Sequence, residues 1–227
     1  MKLICVGGLS SGCGKTSVVC LLLKALPGWA AIKVTPSRPN HVCPHGKDCE
    51  ACQPPDGPYD VAIDSDIPAR PGKDTSRFHD AGASHVAFVR ALPECLPAAL
   101  ESAFERFNHP SRYLSWREVP GVIIESTTAM PFIDGLRILV AREGRLEVKD
   151  SARAAAGIAD LLVVNGDASN PVDGVMRRAA FCPDAPFAAE LPAKRITVCA
   201  SLPPEHPCNR DLIADCRLFL ERSAIIG

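Results

Sequence analysis

The chain has 227 residues, a formal net charge of -1, and 47% hydrophobic against 22% charged residues. These values are ordinary for a globular α/β protein, and the near-zero charge argues against a nucleic-acid partner held through its phosphates. The sequence contains no run of eighteen apolar residues, so we predict no membrane-spanning helix. We expect a single domain over residues 1–227 whose partners are small molecules or proteins.

The chain begins with a strand pattern, a glycine-rich turn and a helix pattern. Residues 3–6 are apolar, residues 8–17 read Gly-Leu-Ser-Ser-Gly-Cys-Gly-Lys-Thr-Ser, and residues 15–25 have the pattern of a helix. A polyphosphate site needs glycines that let backbone N–H groups point inward, a lysine for the β and γ phosphates, and a hydroxyl for Mg²⁺. Leu9 stands where the first glycine of such loops is usual. The sequence predicts a phosphate-binding loop with these nucleotide ligands: Ser11, Gly12, Cys13, Gly14, Lys15, Thr16 and Ser17.

A cysteine- and histidine-rich insertion is predicted over residues 36–59. Cys49 and Cys52 have the Cys-x-x-Cys spacing that lets two thiolates reach one metal ion. A tetrahedral Zn²⁺ would need two more ligands, whereas the spacing of the three cysteines also suits an iron–sulfur cluster. The candidate ligands for either are His41, Cys43, His45, Cys49 and Cys52. Because 11 cysteines beside a nucleotide loop are more consistent with reduced thiols than with disulfides, we expect a cytoplasmic protein.

Apolar runs and helix patterns then alternate along the chain, which predicts a mostly parallel sheet covered by helices on both faces. Residues 136–148 could instead form an antiparallel hairpin. The predicted strands cover residues 3–6, 30–34, 61–63, 85–89, 122–124, 138–141, 161–164 and 196–199. The predicted helices cover residues 15–25, 75–81, 94–107, 152–159, 172–180 and 211–222.

Acidic residues follow two of these predicted strands. In a parallel sheet, ligands bind beyond the carboxyl ends of the strands, so such residues should converge on Lys15. Glu125 follows a buried strand pattern, and we expect its carboxylate to face Mg²⁺ together with Thr16, or to face a water that attacks the γ-phosphate. Asp64 and Asp66 follow residues 61–63, and either could fill the same catalytic role.

Asn165 and Asp167 follow another predicted strand. An amide at such a position can contact a purine edge, and a nearby carboxylate can accept hydrogen bonds from guanine. The familiar guanine-binding order is Asn-Lys-x-Asp, whereas here the lysine is absent and Asp167 comes one position early. An Asn-Gly turn that merely ends the strand is the alternative interpretation.

Residues 70–83 read Arg-Pro-Gly-Lys-Asp-Thr-Ser-Arg-Phe-His-Asp-Ala-Gly-Ala. This segment resembles the Lys-Pro-Gly-Lys-Asp-Ser-Tyr-Arg-x-x-x-Ala-Gly-Ala signature of the MobB family, which is associated with forming the guanine dinucleotide of the molybdenum cofactor. The glycine-rich turn and Glu125 also resemble that family, whereas Ala69 replaces its usual Asp. In this segment Lys73 offers a cation to a second phosphate or a pterin, and Asp74 is predicted to cap the helix over residues 75–81.

The resemblance implies the P-loop NTPase fold of the dimeric SIMIBI class, with GTP and Mg²⁺ as cofactors and a homodimeric assembly. It implies a slow GTPase that assists a partner protein in cofactor biosynthesis. A nucleotide-dependent metal or iron–sulfur chaperone of the same class, using ATP or GTP, is the alternative, and a regulatory module without meaningful turnover is a third.

Overall fold

The computed structural model describes residues 1–37, 55, 57–68, 70–108, 119–144, 147–166 and 191–222. Within these residues, eight strands form one sheet in the order β3-β4-β2-β5-β1-β6-β7-β8. The strands are β1 (Lys2–Gly8), β2 (Ala30–Pro36), β3 (Tyr59–Ile63), β4 (Val86–Ala91), β5 (Gly121–Glu125), β6 (Leu136–Arg142), β7 (Leu161–Asn165) and β8 (Arg195–Val198).

Strand direction is uniform except at one edge of the sheet. Every neighbouring pair is parallel apart from β3, which runs antiparallel to β4 with Tyr59 opposite Ala91 and Ile63 opposite Ala87. The prediction of a mostly parallel α/β sheet is therefore confirmed. The exception matters because the carboxyl end of β3 points in the opposite direction from the carboxyl ends of the other strands.

Helices cover both faces, as predicted. The described helices are α1 (Lys15–Ala25), α2 (Asp74–Asp80), α3 (Leu96–Asn108), α4 (Asp150–Ala156) and α5 (Arg210–Arg222). Leu96 of α3 and Ala152 of α4 belong to the apolar cluster on one face, whereas Val18 of α1, Phe78 of α2 and Leu212 of α5 belong to the cluster on the other. This double covering explains the near-continuous apolar runs of the central strands. The helix predicted over residues 172–180 lies outside the described residues.

The alternative of a hairpin over residues 136–148 is wrong. Strand β6 pairs in parallel with β1 on one side and with β7 on the other. Both of its edges are thus occupied, and an antiparallel partner following directly in sequence has no place beside it.

Buried cysteines act as small apolar residues in this core. Cys5 and Cys199 are fully buried. Burial raises the pKa of the Cys5 and Cys216 thiols to about 12, so both are protonated at neutral pH. Among the described residues, none of the helices combines the length and apolarity needed to cross a bilayer.

Candidate functional site

The glycine loop, residues 9–14, connects β1 to α1 at the carboxyl edge of the sheet. Gly12 and Gly14 adopt left-handed φ angles of 67° and 93°, which glycine reaches without strain. Helix α1 begins at Lys15 with no acidic residue in its first turn and no side-chain cap. The free N–H groups and the positive dipole end of this eleven-residue helix therefore face the loop, which is an arrangement that favours an anion.

Two apolar side chains anchor the glycine loop to the core. Leu9 is 1% exposed and Cys13 is 0% exposed, and they pack into the apolar clusters on opposite faces of the sheet. Leu9 thus occupies the usual glycine position with its side chain directed into the core.

Gly8 allows the loop to fold closely over the end of β1. A Cβ atom placed on Gly8 would lie 2.4 Å from Cys13 Sγ and 2.8 Å from Lys15 Cγ. The backbone N–H of Gly8 donates to Thr127 Oγ1 at 2.9 Å, and the Thr127 hydroxyl donates back to the Gly8 carbonyl at 3.3 Å. The segment after β5 therefore fixes the start of the loop, and the Lys15 side chain lies back across Gly8.

A cluster of charged groups lies beside the first turn of α1. Lys33 Nζ of β2 is 2.6 Å from Glu125 Oε1 and 2.5 Å from Asp74 Oδ2. Thr16 Oγ1 donates to Asp74 Oδ1 at 2.9 Å. The cluster brings together the predicted residues Thr16, Asp74 and Glu125, and it adds Lys33, which the sequence analysis missed. A lysine within the otherwise apolar run of residues 30–34 was the signal that could have identified it.

The electrostatics of the cluster favour charged side chains. Burial opposes the charged forms, but the Lys33 ammonium holds the pKa of Asp74 below its usual value, and the Glu125 and Asp74 carboxylates raise the pKa of Lys33. Glu125 is 2% exposed, and its second oxygen, Oε2, is buried and has no hydrogen-bond partner among the described residues. A buried carboxylate oxygen of this kind is suited to a ligand that supplies positive charge.

The oxygen atoms of Thr16, Asp74 and Glu125 fit a magnesium ion, because Mg²⁺ prefers hydroxyl and carboxylate oxygen ligands and retains several waters. The orphaned Oε2 of Glu125 is the observation on which this fit depends. When bound beside a triphosphate, such an ion would neutralise charge that develops on the phosphate oxygens. In the structure, the ammonium of Lys33 balances the negative charge of Asp74 and Glu125, the two carboxylates that the ion would also contact.

Lys149 is a second cation at the glycine loop that the sequence analysis missed. Its backbone N–H donates to the Leu9 carbonyl at 3.0 Å, which fixes the start of α4 against the loop. Burial and then the charge of Lys15 lower the pKa of the Lys149 ammonium. Two lysines that repel each other here would both be stabilised by a polyanion.

Residues 70–83 contribute to the site differently from the prediction. Asp74 is the first residue of α2, whose cap residue is Lys73, and no side-chain cap is formed, so the predicted capping role of Asp74 is wrong. Its carboxylate is instead engaged by Thr16 and Lys33. Arg77, one turn later, donates to Ser17 Oγ at 3.1 Å, which ties α2 to α1.

The structure separates Asp64 from the glycine loop. Because β3 is antiparallel, Asp64 lies beside the start of β4, where its carboxylate accepts from the Val86 N–H at 2.8 Å and contacts His85 Nδ1 at 2.7 Å. The expectation that the end of β3 converges on Lys15 is therefore wrong. Asp66 lies along a cavity between α2 and the sheet.

Asn165 contacts the glycine loop at the end of β7. Its Oδ1 accepts from the Ala200 N–H at 3.1 Å, and its Nδ2 is 2.2 Å from where a Cβ atom on Gly14 would lie. Any residue larger than glycine at position 14 would collide with this amide. The interpretation of Asn165 as a base-recognition residue stays a prediction, and Asp167 lies outside the described residues.

Other predicted residues lie at the margins of the site or outside the described chain. Ser11 is exposed in the glycine loop, and Arg142 Nη1 donates to the Gly12 carbonyl at 3.4 Å. The predicted soft-metal ligands His41, Cys43, His45, Cys49 and Cys52 all lie outside the described residues.

Comparison with known proteins gives no independent assignment: no family model matches the chain, and no curated protein matches it.

Proposed function

We propose that the protein binds a purine nucleoside triphosphate with Mg²⁺ in a P-loop NTPase fold, and that GTP is the nucleotide. The observation that carries this proposal is the charged cluster beside the first turn of α1, where no residue in the described part of the chain forms a hydrogen bond with the buried Oε2 of Glu125. The anion-accepting loop and the hard oxygen ligands are adjacent, as binding of a metal–triphosphate complex requires.

Each group then has a distinct role in binding. The N–H groups of the glycine loop and of the first turn of α1 hold the phosphates, and Lys15 and Lys149 supply positive charge. Thr16, Asp74 and Glu125 hold Mg²⁺, and the 2.9 Å hydrogen bond between Thr16 and Asp74 keeps their oxygens side by side. The choice of GTP and the slow GTPase activity come from the MobB-like segment over residues 70–83.

We further propose that this activity assists the formation of the guanine dinucleotide of the molybdenum cofactor, or a related maturation step, with a partner protein and as a homodimer. The resemblance of residues 70–83 supports this role. The rival proposal, a metal or iron–sulfur chaperone, is supported by the spacing of Cys43, Cys49 and Cys52. Metal analysis of protein purified without added metal would separate them: stoichiometric zinc favours the former and an iron chromophore the latter.

The nucleotide proposal is tested by calorimetric titration with non-hydrolysable GTP and ATP analogues, with and without Mg²⁺. We expect Mg²⁺-dependent binding that prefers the GTP analogue, and Lys15→Ala should weaken it about 10- to 100-fold because charge-assisted hydrogen bonds are lost. Lys24→Ala is the matched control, since Lys24 lies exposed in the last turn of the same helix. Absence of heat with either analogue, or equal affinities for the two variants, would refute the proposal.

A further inference from the structure

A cavity of about 330 Å³ lies between the sheet and the segment that leads into α2. Its floor is formed by side chains on one face of β2, β3 and β4, among them Lys33, Ala62 and Phe88, and its wall by residues within 66–68 and 70–75. This volume is at the lower end of the range for small-molecule sites, so the cavity suits a compact ligand.

The lining combines an apolar surface with several cationic side chains. Phe88, Ile67, Pro68 and Ala62 supply the apolar part, and half-buried Phe88 provides an aromatic surface. Four cationic side chains line the cavity, Lys33, Arg70, Lys73 and Arg90, together with the acids Asp60, Asp66 and Asp74. Of these cations, Arg90 is already paired with Asp60 at 2.7 Å, and Lys33 is paired with Asp74 and Glu125. Such a lining favours an organic molecule that carries an anionic group on an apolar body.

The cavity and the proposed nucleotide site share two residues. Asp74 contacts Thr16 through Oδ1 and Lys33 through Oδ2, and both Asp74 and Lys33 line the cavity. The Lys33 side chain is 18% exposed and is now neutralised by Glu125 and Asp74. If Mg²⁺ and nucleotide draw on those two carboxylates, the ammonium of Lys33 is left on the cavity floor with weaker compensation.

We propose that this cavity binds a small organic anion, and that it does so more tightly once Mg²⁺ and nucleotide are bound. The anionic group pairs with Lys33 and Lys73, and the apolar body packs on Phe88. The dependence on nucleotide rests on the proposed function, whereas the site itself does not. The cavity is thus a second-substrate or effector site beside the triphosphate, filled after it.

The test uses benzoate and phenylphosphonate as anionic probes, with benzamidine as the cationic control of similar shape. Binding is followed by the NMR shift of the Ile67 methyl group, first without nucleotide and then with Mg²⁺ and a non-hydrolysable GTP analogue. We expect both anions to shift this methyl and benzamidine not to do so, and their affinities to rise at least about five-fold with nucleotide.

Variants assign the effect to the cavity. Ala62→Leu should fill the floor and abolish the anion shift while leaving nucleotide affinity unchanged. Lys73→Glu, a change at an exposed position that does not depend on repacking, should weaken both anions, and Lys33→Met should remove the gain caused by nucleotide.

Three results would overturn the proposal. The first is an equal shift with benzamidine and benzoate. The second is an Ile67 methyl signal that does not move with either anion, whether nucleotide is absent or present. The third is an anion affinity that stays the same when calorimetry shows that nucleotide is bound. If nucleotide itself fails to bind, the proposed function and the nucleotide dependence fall together, and the titration without nucleotide still decides whether the anion site exists.

Discussion

Glu125 and Asp64 both lie at the carboxyl end of a strand, yet their surroundings differ. Glu125 ends the parallel strand β5 beside Lys33 and the glycine loop, and one of its oxygens is buried with no hydrogen-bond partner in the described ranges. Asp64 directly follows the antiparallel strand β3, and its two oxygens are engaged by His85 and the Val86 N–H. A strand-end acid therefore becomes available for chemistry when its strand runs parallel to β1, and becomes structural when its strand runs the other way.

Glu125→Gln should have the largest effect on the proposed activity. The side chain keeps its size and can still accept from Lys33, but it loses the charge needed to hold a metal or orient water. We expect single-turnover GTP hydrolysis with Mg²⁺ to fall about 1000-fold. Asp64→Ala is the matched variant at the other edge and should leave the rate within about two-fold, because the structure places it away from Lys15. Equal losses in the two variants would contradict the comparison.

Lys33→Met should have the next largest effect, on the stability of the metal-free protein. Removing the ammonium leaves Glu125 buried without a counter-charge, and we expect the free energy of unfolding in urea to drop by about 3 kcal/mol. The partly exposed pair Arg137–Asp160 is the control: the two side chains are 31% and 41% exposed and the Arg137 backbone N–H still donates to Asp160, so Arg137→Met should change stability by less than about 1 kcal/mol. Added Mg²⁺ should restore part of the loss at position 33 only. A variant as stable as the wild type would show that the cluster does not need this cation.

Asp64→Ala should have the smallest effect and should appear in stability. It removes the contacts to His85 and Val86 and puts alanine at a φ of 46°, where aspartate is better tolerated. We expect a loss of about 1–2 kcal/mol in urea unfolding. The exposed neighbour Ser65, changed to alanine, serves as the control and should have little effect. If the two variants unfold alike, Asp64 has no structural role.

Local patterns were sufficient for most of the fold. The strands and the turn over residues 8–17 were predictable because apolar runs, glycines and helix starts are encoded over a few neighbouring residues. The direction of β3 was not predictable, because its short apolar run is the same in a parallel and in an antiparallel strand. This direction places Asp64 beside His85 and Val86, away from the glycine loop.

The candidate site was predictable only in part, for the same reason. Thr16 and Glu125 could be chosen from their positions after strand patterns, but the pairing of Lys33 with Asp74 and Glu125 depends on β2 lying next to β5 in the sheet. Asp74 was predicted as a helix cap because aspartate at a helix start commonly has that role. Here the Asp74 carboxylate binds the ammonium of Lys33 and the hydroxyl of Thr16 instead of capping the N–H groups of its own helix.

The two oxygens of Asp74 serve different neighbours, Thr16 on one side and Lys33 on the other. Substitutions at positions 16 and 33 therefore disturb one shared group, and their effects will not sum as those of distant residues do. Among the described contacts, Thr16 and Lys33 have no hydrogen bond with each other. A double-mutant cycle at positions 16 and 33 would therefore measure the interaction energy that Asp74 transmits between them.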